Sequence, residues 1–327
     1  LPRNWNPGPR RILMRLLIPS LAATLLASCT TPAAGPAPQT ADAPAPLASD
    51  AEIDASIAAP LDAFSVNMEW NVAARPITVI GNVHYVGSKT VGAYLITTPE
   101  GHFLIDGIVP QSAPLILENI RTLGFDPADV KYLLNSHAHI DHAGGLAALK
   151  RATGAVMVAS AADKPILEAG DVFYGPTQGI KFPPVRVDQI IGDGETLILG
   201  GVTLTAHLTP GHTPGCTSWT LPVTGADGAE HTVFLHCSST VAGQKLVPES
   251  YPGMIDSYRA TFEKVRTLQA DIFLANHDNF FGLAEKRARL EAGDANAFVN
   301  AGELQAFNAA MEKAFETQLA MEEDMAR

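Results

Sequence analysis

Between the apolar run Val130–Leu134 and a stretch of small residues lies Asn135-Ser136-His137-Ala138-His139-Ile140-Asp141-His142-Ala143-Gly144-Gly145. In an extended loop, side chains two apart project the same way, so His137 and His139 can offer ring nitrogens to one ion. Asp141 and His142 fall at the turn into a helix and point elsewhere, toward a second ion. Four donors then serve two metals, while Ala143, Gly144 and Gly145 leave room for backbone to pack close to the site. The competing reading is four polar residues on a solvated loop. Three histidines and an aspartate so arranged make a poor chance event.

Two later segments supply the missing donors. Thr209-Pro210-Gly211-His212-Thr213-Pro214-Gly215 follows the strand-like Val202–Leu208 and would hold His212 rigidly at a strand end, a third nitrogen for the first ion. Phe273-Leu274-Ala275-Asn276-His277 repeats the construction, and His277 would join Asp141 and His142 on the second. A lone histidine is usually packing or surface; the combination is what carries the metal expectation. His84, His102, His207, His231 and His236 lack such an arrangement and are read as structural or surface groups.

The elements that must position these donors are legible from about residue 63 onward. Ile77–Val86, Val91–Thr97 and His102–Asp106 read as strands, then Ala113–Leu123 as a helix, Val130–Leu134 as a buried strand and about 145–152 as a second helix. A strand at Ala155–Ser160 and a helical 161–169 follow, then strands at 196–199, 202–208, 217–222 and 232–236. Ile255–Gln269 is an amphipathic helix, Asp271–Ala275 a strand and 302–320 a terminal helix, on which Phe307, Met311, Phe315 and Leu319 share one core-facing side. This alternation predicts sheets covered by helices, in an α/β or α+β class.

Of 327 residues, 46% are hydrophobic and 17% charged, enough apolar material for a sizeable core. With 22 Lys+Arg against 34 Asp+Glu the net charge is −12, which argues against nucleic acid as a partner. Residues 1–28 carry Arg10, Arg11 and Arg15 ahead of an apolar run too short to span a bilayer, the pattern of a secretory signal, with Met14 a candidate initiator. The run stops at Leu26-Ala27-Ser28-Cys29, which resembles the lipobox of bacterial lipoproteins and implies acylation of Cys29. Residues 29–62, rich in Ala and Pro without sustained periodicity, read as an extended tether, leaving 63–327 as the folded domain.

His-x-His-x-Asp-His with a later Gly-His and a still later strand-end His resembles the metallo-β-lactamase superfamily. The runs YLITTPEGHFLID (94–106), Ser136–Gly145, TPGHTPGCTSW (209–219), VAGQKL (241–246) and EKRARLEAG (285–293) are similar to its third class B subclass, from about residue 70 to 320. The resemblance implies an αβ/βα sandwich of two β-sheets flanked by helices and two Zn²⁺ per chain. It implies hydrolysis of the amide bond of penicillins, cephalosporins and carbapenems by a metal-bound hydroxide oriented by Asp141, and hence antibiotic resistance. Ser-x-x-Lys and Gly-x-Ser-x-Gly, which would support a serine nucleophile, do not occur.

Glyoxalase II and the acyl-homoserine-lactone lactonases place a metal-bridging aspartate after the strand near 232–236; here Thr232–Thr240 contains no carboxylate. A lactonase or thioesterase is therefore the alternative function. The first β-lactamase subclass uses a cysteine ligand there, which makes Cys237 a competitor; the register that aligns 241–246 puts Ser238 at the ligand position instead. Strand neighbours face opposite sides, so one of the two points at the metal, and Ser238 is the expectation. By resemblance Ser238 and Thr240 face the substrate, with Gln244 or Lys245 as rim contacts. Of three cysteines, Cys29 goes to lipid; Cys216 and Cys237 are expected to form a disulfide in an oxidising compartment, against a zinc-ligand role for cysteine. A periplasmic monomer, lipid-anchored to the outer membrane through Cys29, with a small β-lactam as its only partner, completes the expectation.

Overall fold

The computed structural model describes residues 47–61 and 67–327. The signal, Cys29 and most of the tether therefore lie outside the described residues. Among the described residues, twelve strands build two sheets. β1 (Ile77–Ile80), β2 (Val83–Tyr85), β3 (Tyr94–Thr98) and β4 (Gly101–Ile105) run as an antiparallel meander. β5 (Val130–Leu134), β6 (Val156–Ala159) and β7 (Gln189–Ile190) then add in parallel, in sequence order. The second sheet is ordered β12 (Ile272–Ala275), β11 (Glu230–His236), β10 (Thr217–Thr224), β9 (Val202–Leu208), β8 (Thr196–Leu199). Only β11 and β12 pair in parallel there.

The sheets face one another across one apolar layer. Val79, Val83, Ile96, Phe103 and Leu134 of the first meet Leu204, Trp219, Val233 and Ile272 of the second. The alternate side chains of the first sheet, Leu95, Leu104, Leu133 and Met157, pack outward. They meet α2 (Ala113–Thr122), α4 (Leu146–Thr153) and α5 (Lys164–Ala169) through Ile116, Ile120, Leu146, Leu149 and Leu167. Covered on both faces, β4 is buried along its whole length. On the far side α6 (Met254–Thr267) and α9 (Glu303–Met325) pack through Tyr258, Phe262, Phe315 and Leu319. The result is the helix–sheet–sheet–helix sandwich expected.

Several boundaries differ from the sequence reading. Ile77–Val86 is a hairpin rather than one strand: Gly81, at φ 51, turns the chain, and a β-carbon there would sit 2.7 Å from the Thr224 carbonyl oxygen. The tether is not extended over its last part. Asp50–Ala58 is helix α1, started by a capping box in which Glu52 N–H donates to Ser49 Oγ and Ser49 N–H donates to Glu52 Oε2. Ile53 buries against the α2/α4 side, and Arg151 Nη2 lies 2.6 Å from Asp54 Oδ1. Within α1 the bulky apolar contacts come from Ile53 and Ile57, so periodicity gave no signal. The terminal helix runs on to Met325, and the short helices α7 (Asp278–Phe281) and α8 (Leu283–Glu291) follow β12.

Candidate metal centre

All five donor histidines and Asp141 gather at one edge of the sandwich, at or just past strand ends. His137 and His139 occupy the loop after β5, while Asp141 and His142 begin the one-turn helix α3 (Ile140–Ala143). His212 follows β9 and His277 follows β12. Backbone bonds join the two sheets here: Thr217 N–H donates to the Ser136 carbonyl at 2.8 Å, and Val91 bridges His277. Gly145 has no room for a side chain, since a β-carbon would meet the Gly107 carbonyl oxygen at 2.2 Å. That close approach brings the start of α4 against the end of β4.

The donors form two groups. His137, His139 and His212 are buried with ring centroids 4.6–4.8 Å apart, and His139 Nδ1 stands 3.1 Å from His212 Nε2. His137 Nε2 is buried without a partner. In the second group, Asp141 Oδ2, His142 Nε2 and His277 Nε2 lie 3.3 Å from one another, all three pairs alike. Tetrahedral zinc with bonds of about 2.0–2.1 Å requires donor separations of roughly 3.3–3.4 Å. Both groups thus fit a small divalent cation, and an orphaned imidazole nitrogen aimed into the first has no other use in the fold.

Burial pushes His139 down to about 4 and carries His137 and His212 well below their usual value, so the triad is neutral and its lone pairs free at neutral pH. Burial also disfavours a charged His142, but Asp141 and Asp106 outweigh it and hold the imidazole up at about 10. For Asp141 burial acts upward, and His142 and His277 overcome it, keeping the carboxylate ionised well below its usual range. A cation held by Asp141, His142 and His277 would take the place of the His142 proton as the counter-charge to Asp141.

The supports around the donors were not foreseen. Asp106, at φ 66, accepts from Ser136 N–H at 2.7 Å through Oδ1 and from Ser136 Oγ at 2.6 Å through Oδ2, which also lies 3.4 Å from His142 Nδ1. Asp163 accepts from Ala138 N–H and Gly215 N–H, both at 3.0 Å, tying the His137–His139 loop to the His212 loop. A β-carbon on Gly215 would lie 2.4 Å from that carboxylate. The Thr240 carbonyl lies 2.7 Å from His212 Nδ1 and fixes that ring. Acidic residues at strand ends have no periodic signature. Asp106 was visible only as the last residue of a resembling run, and Asp163 sat inside a span read as helix.

Cys216 and Cys237 are joined as a disulfide with Cα atoms 5.8 Å apart. Cys237 Sγ lies 3.6 Å from His137 Nδ1, on the ring side opposite the orphaned Nε2. Ser238 is buried and its Oγ lies 3.2 Å from Thr240 Oγ1, which in turn is 3.4 Å from His212 Nδ1. Gln244 is not a rim contact: it is buried and donates to the His212 carbonyl at 2.8 Å. Lys245 is exposed. None of the other histidines reaches the donors. His84 and His102 flank Phe125, His207 pairs with Thr220, His231 lies along β11, and His236 Nε2 bonds Ser239 Oγ.

The family profile of the metallo-beta-lactamase superfamily matches residues 89–226. Among solved structures, the chain is similar to BJP-1, a subclass B3 metallo-beta-lactamase of Bradyrhizobium japonicum, at 40% identity over 80% of this chain and 99% of that one, TM-score 0.75. Native FEZ-1 metallo-beta-lactamase from Legionella gormanii superposes with TM-score 0.74 at 35% identity, over 77% of this chain and 98% of that one. Among curated proteins, N-acyl homoserine lactonase AttM of Agrobacterium fabrum is 29% identical over 201 residues, 53% of this chain and 75% of that one.

Proposed function

Because the chain belongs to the metallo-β-lactamase superfamily and, within it, to the subclass B3 enzymes, we propose that it hydrolyses the amide bond of β-lactam antibiotics. The observation that carries the reading is the pair of adjacent donor groups, one of three neutral imidazoles and one a 3.3 Å triangle containing Asp141. His137, His139 and His212 would hold one zinc and Asp141, His142 and His277 a second. Bound zinc supplies Lewis acidity and a nucleophile available near pH 7. Asp141 commits Oδ2 to the triangle, and its other oxygen would accept a hydrogen bond from the attacking hydroxide and so orient it. Asp106, Asp163 and the Thr240 carbonyl hold the donors in place before substrate arrives, so little reorganisation accompanies the chemistry. Ser238 and Thr240 are the candidate hydroxyl contacts to the substrate carboxylate.

The lactonase reading draws on the likeness to AttM. The stretch Thr232–Thr240, through the end of β11 and just past it, has no carboxylate to bridge two metals, and this favours the β-lactam reading. The disulfide supports an oxidising compartment. With the Leu26–Cys29 lipobox, that supports a periplasmic enzyme anchored through Cys29 and acting in antibiotic resistance. Asp141→Ala is expected to lower cephalosporin kcat/KM at least about a hundredfold, ~2.7 kcal/mol in the barrier, and Ser238→Ala far less. Near-parental turnover by Asp141→Ala contradicts the assignment.

A further inference from the structure

The Asn276 side chain is buried beside His137, on the side of the ring away from the metal-facing nitrogen. Its Nδ2 is placed 3.4 Å from His137 Nδ1, while its Oδ1 is buried with no partner at all. The backbone leaves it little freedom: Asn276 sits between β12 and the donor His277, and its carbonyl accepts from Gly92 N–H at 2.8 Å.

The tautomer of His137 decides what Asn276 must do. Nε2 faces His139 and His212 and needs its lone pair for a cation, so the ring proton belongs on Nδ1. A protonated Nδ1 facing an amide NH₂ sets donor against donor, with the amide oxygen wasted beside it. Exchanging the two ends of the amide, which are nearly indistinguishable by shape, removes that conflict and sets an acceptor opposite the Nδ1 proton. Nδ1 has two other neighbours. Ser136 Oγ, at 3.3 Å, donates its proton to Asp106 and keeps its lone pairs, which makes it the rival acceptor, while Cys237 Sγ, at 3.6 Å, belongs to the disulfide and accepts weakly.

We propose that Asn276 is a positioning residue whose amide oxygen accepts the Nδ1 proton of His137, fixing the tautomer that presents Nε2 to the three-histidine metal position. An acceptor behind a metal-ligating histidine raises its basicity and fixes its plane, and losing one costs roughly 10–100-fold in metal affinity. Asn276 thereby joins the two metal positions: its side chain orients a donor of one, and its chain neighbour His277 is a donor of the other. The inference rests on the metal reading above.

The test compares zinc binding by the parent, Asn276→Leu, Asn276→Ser and Asn276→Asp, using competition with a chromophoric chelator. Nitrogen-15 histidine spectra of the zinc-loaded proteins report which His137 nitrogen carries the proton. Asn276→Leu should lose about 10–100-fold in affinity at one position only and lose the exchange-protected Nδ1 proton of His137. Asn276→Asp, which keeps an acceptor, should stay within about threefold of the parent. Parental affinity and a protected proton in Asn276→Leu overturn the proposal and assign the role to Ser136. So does an Asp variant as weak as the Leu variant, or an unprotonated Nδ1 in the zinc-loaded parent, which needs no variant to fold. If Leu does not fold, Asn276→Ser takes its place with the same expectation. A parent that binds no zinc removes the metal reading and this proposal with it, whereas a parent that binds and a Leu variant that matches it remove this proposal alone.

Discussion

Asp163 shows how a residue that never meets substrate can decide whether a site exists. Its carboxylate satisfies the Ala138 and Gly215 amides, with Thr213 Oγ1 further off at 3.4 Å, and so pins both loops that carry the three-histidine donors. Asp163→Ala should cost about 3 kcal/mol in urea unfolding, the desolvation penalty of two buried amides left unpaired, and should weaken zinc binding together with stability. His236 offers a separate test. Packed among Phe234, Phe273 and Phe307, its imidazole is pushed by burial down to about 3. In the unfolded chain it returns to about 6.5, so between those values the unfolded state binds a proton the folded state refuses. The stability it contributes is complete above pH 6.5 and drains away as pH falls toward 3. His236→Gln, unfolded in chelator at pH 7.5 and pH 5, should lose about 2 kcal/mol less over that interval than the parent; equal losses would refute the neutral, buried His236. At this scale the donors were legible because they cluster and alternate. Asp106, Asp163 and Asn276 were not, because each acts through contacts with residues distant in sequence.

Elements explain why the donors converge. β4, β5 and β6 run parallel, so the loops after them open at one edge, and β9 and β12 of the second sheet deliver His212 and His277 to the same edge. The disulfide fastens the start of β10 to the segment after β11, beside His137. Its cysteines are 21 apart in sequence, so the double variant Cys216→Ala/Cys237→Ala should lose about 3 kcal/mol by denaturant titration. A loss below about 1 kcal/mol would show that the strands alone hold that corner. Strand and helix order followed from apolar periodicity, which is strong in β9, β10 and α6. The Gly81 hairpin and α1 escaped it: the first hides in a continuous apolar run broken by one glycine, and the second depends on a capping box and a salt link more than on an apolar stripe.

At the scale of the whole molecule, the two sheets and helices of the described residues bury layered apolar clusters and leave the donors together at one sheet edge, where bound metal would act as part of that edge. Without a cation, His142 and Asp141 remain paired as an ion pair and His137 Nε2 stays orphaned, so chelation should lower the unfolding temperature as well as remove activity. The most direct test is the turnover of a chromogenic cephalosporin by chelator-stripped protein as zinc is returned. The account predicts no hydrolysis at the start, recovery that follows zinc occupancy, and full activity by two equivalents. Turnover indifferent to zinc, or a zinc-loaded protein that leaves the cephalosporin whole while opening an acyl-homoserine lactone, would contradict it.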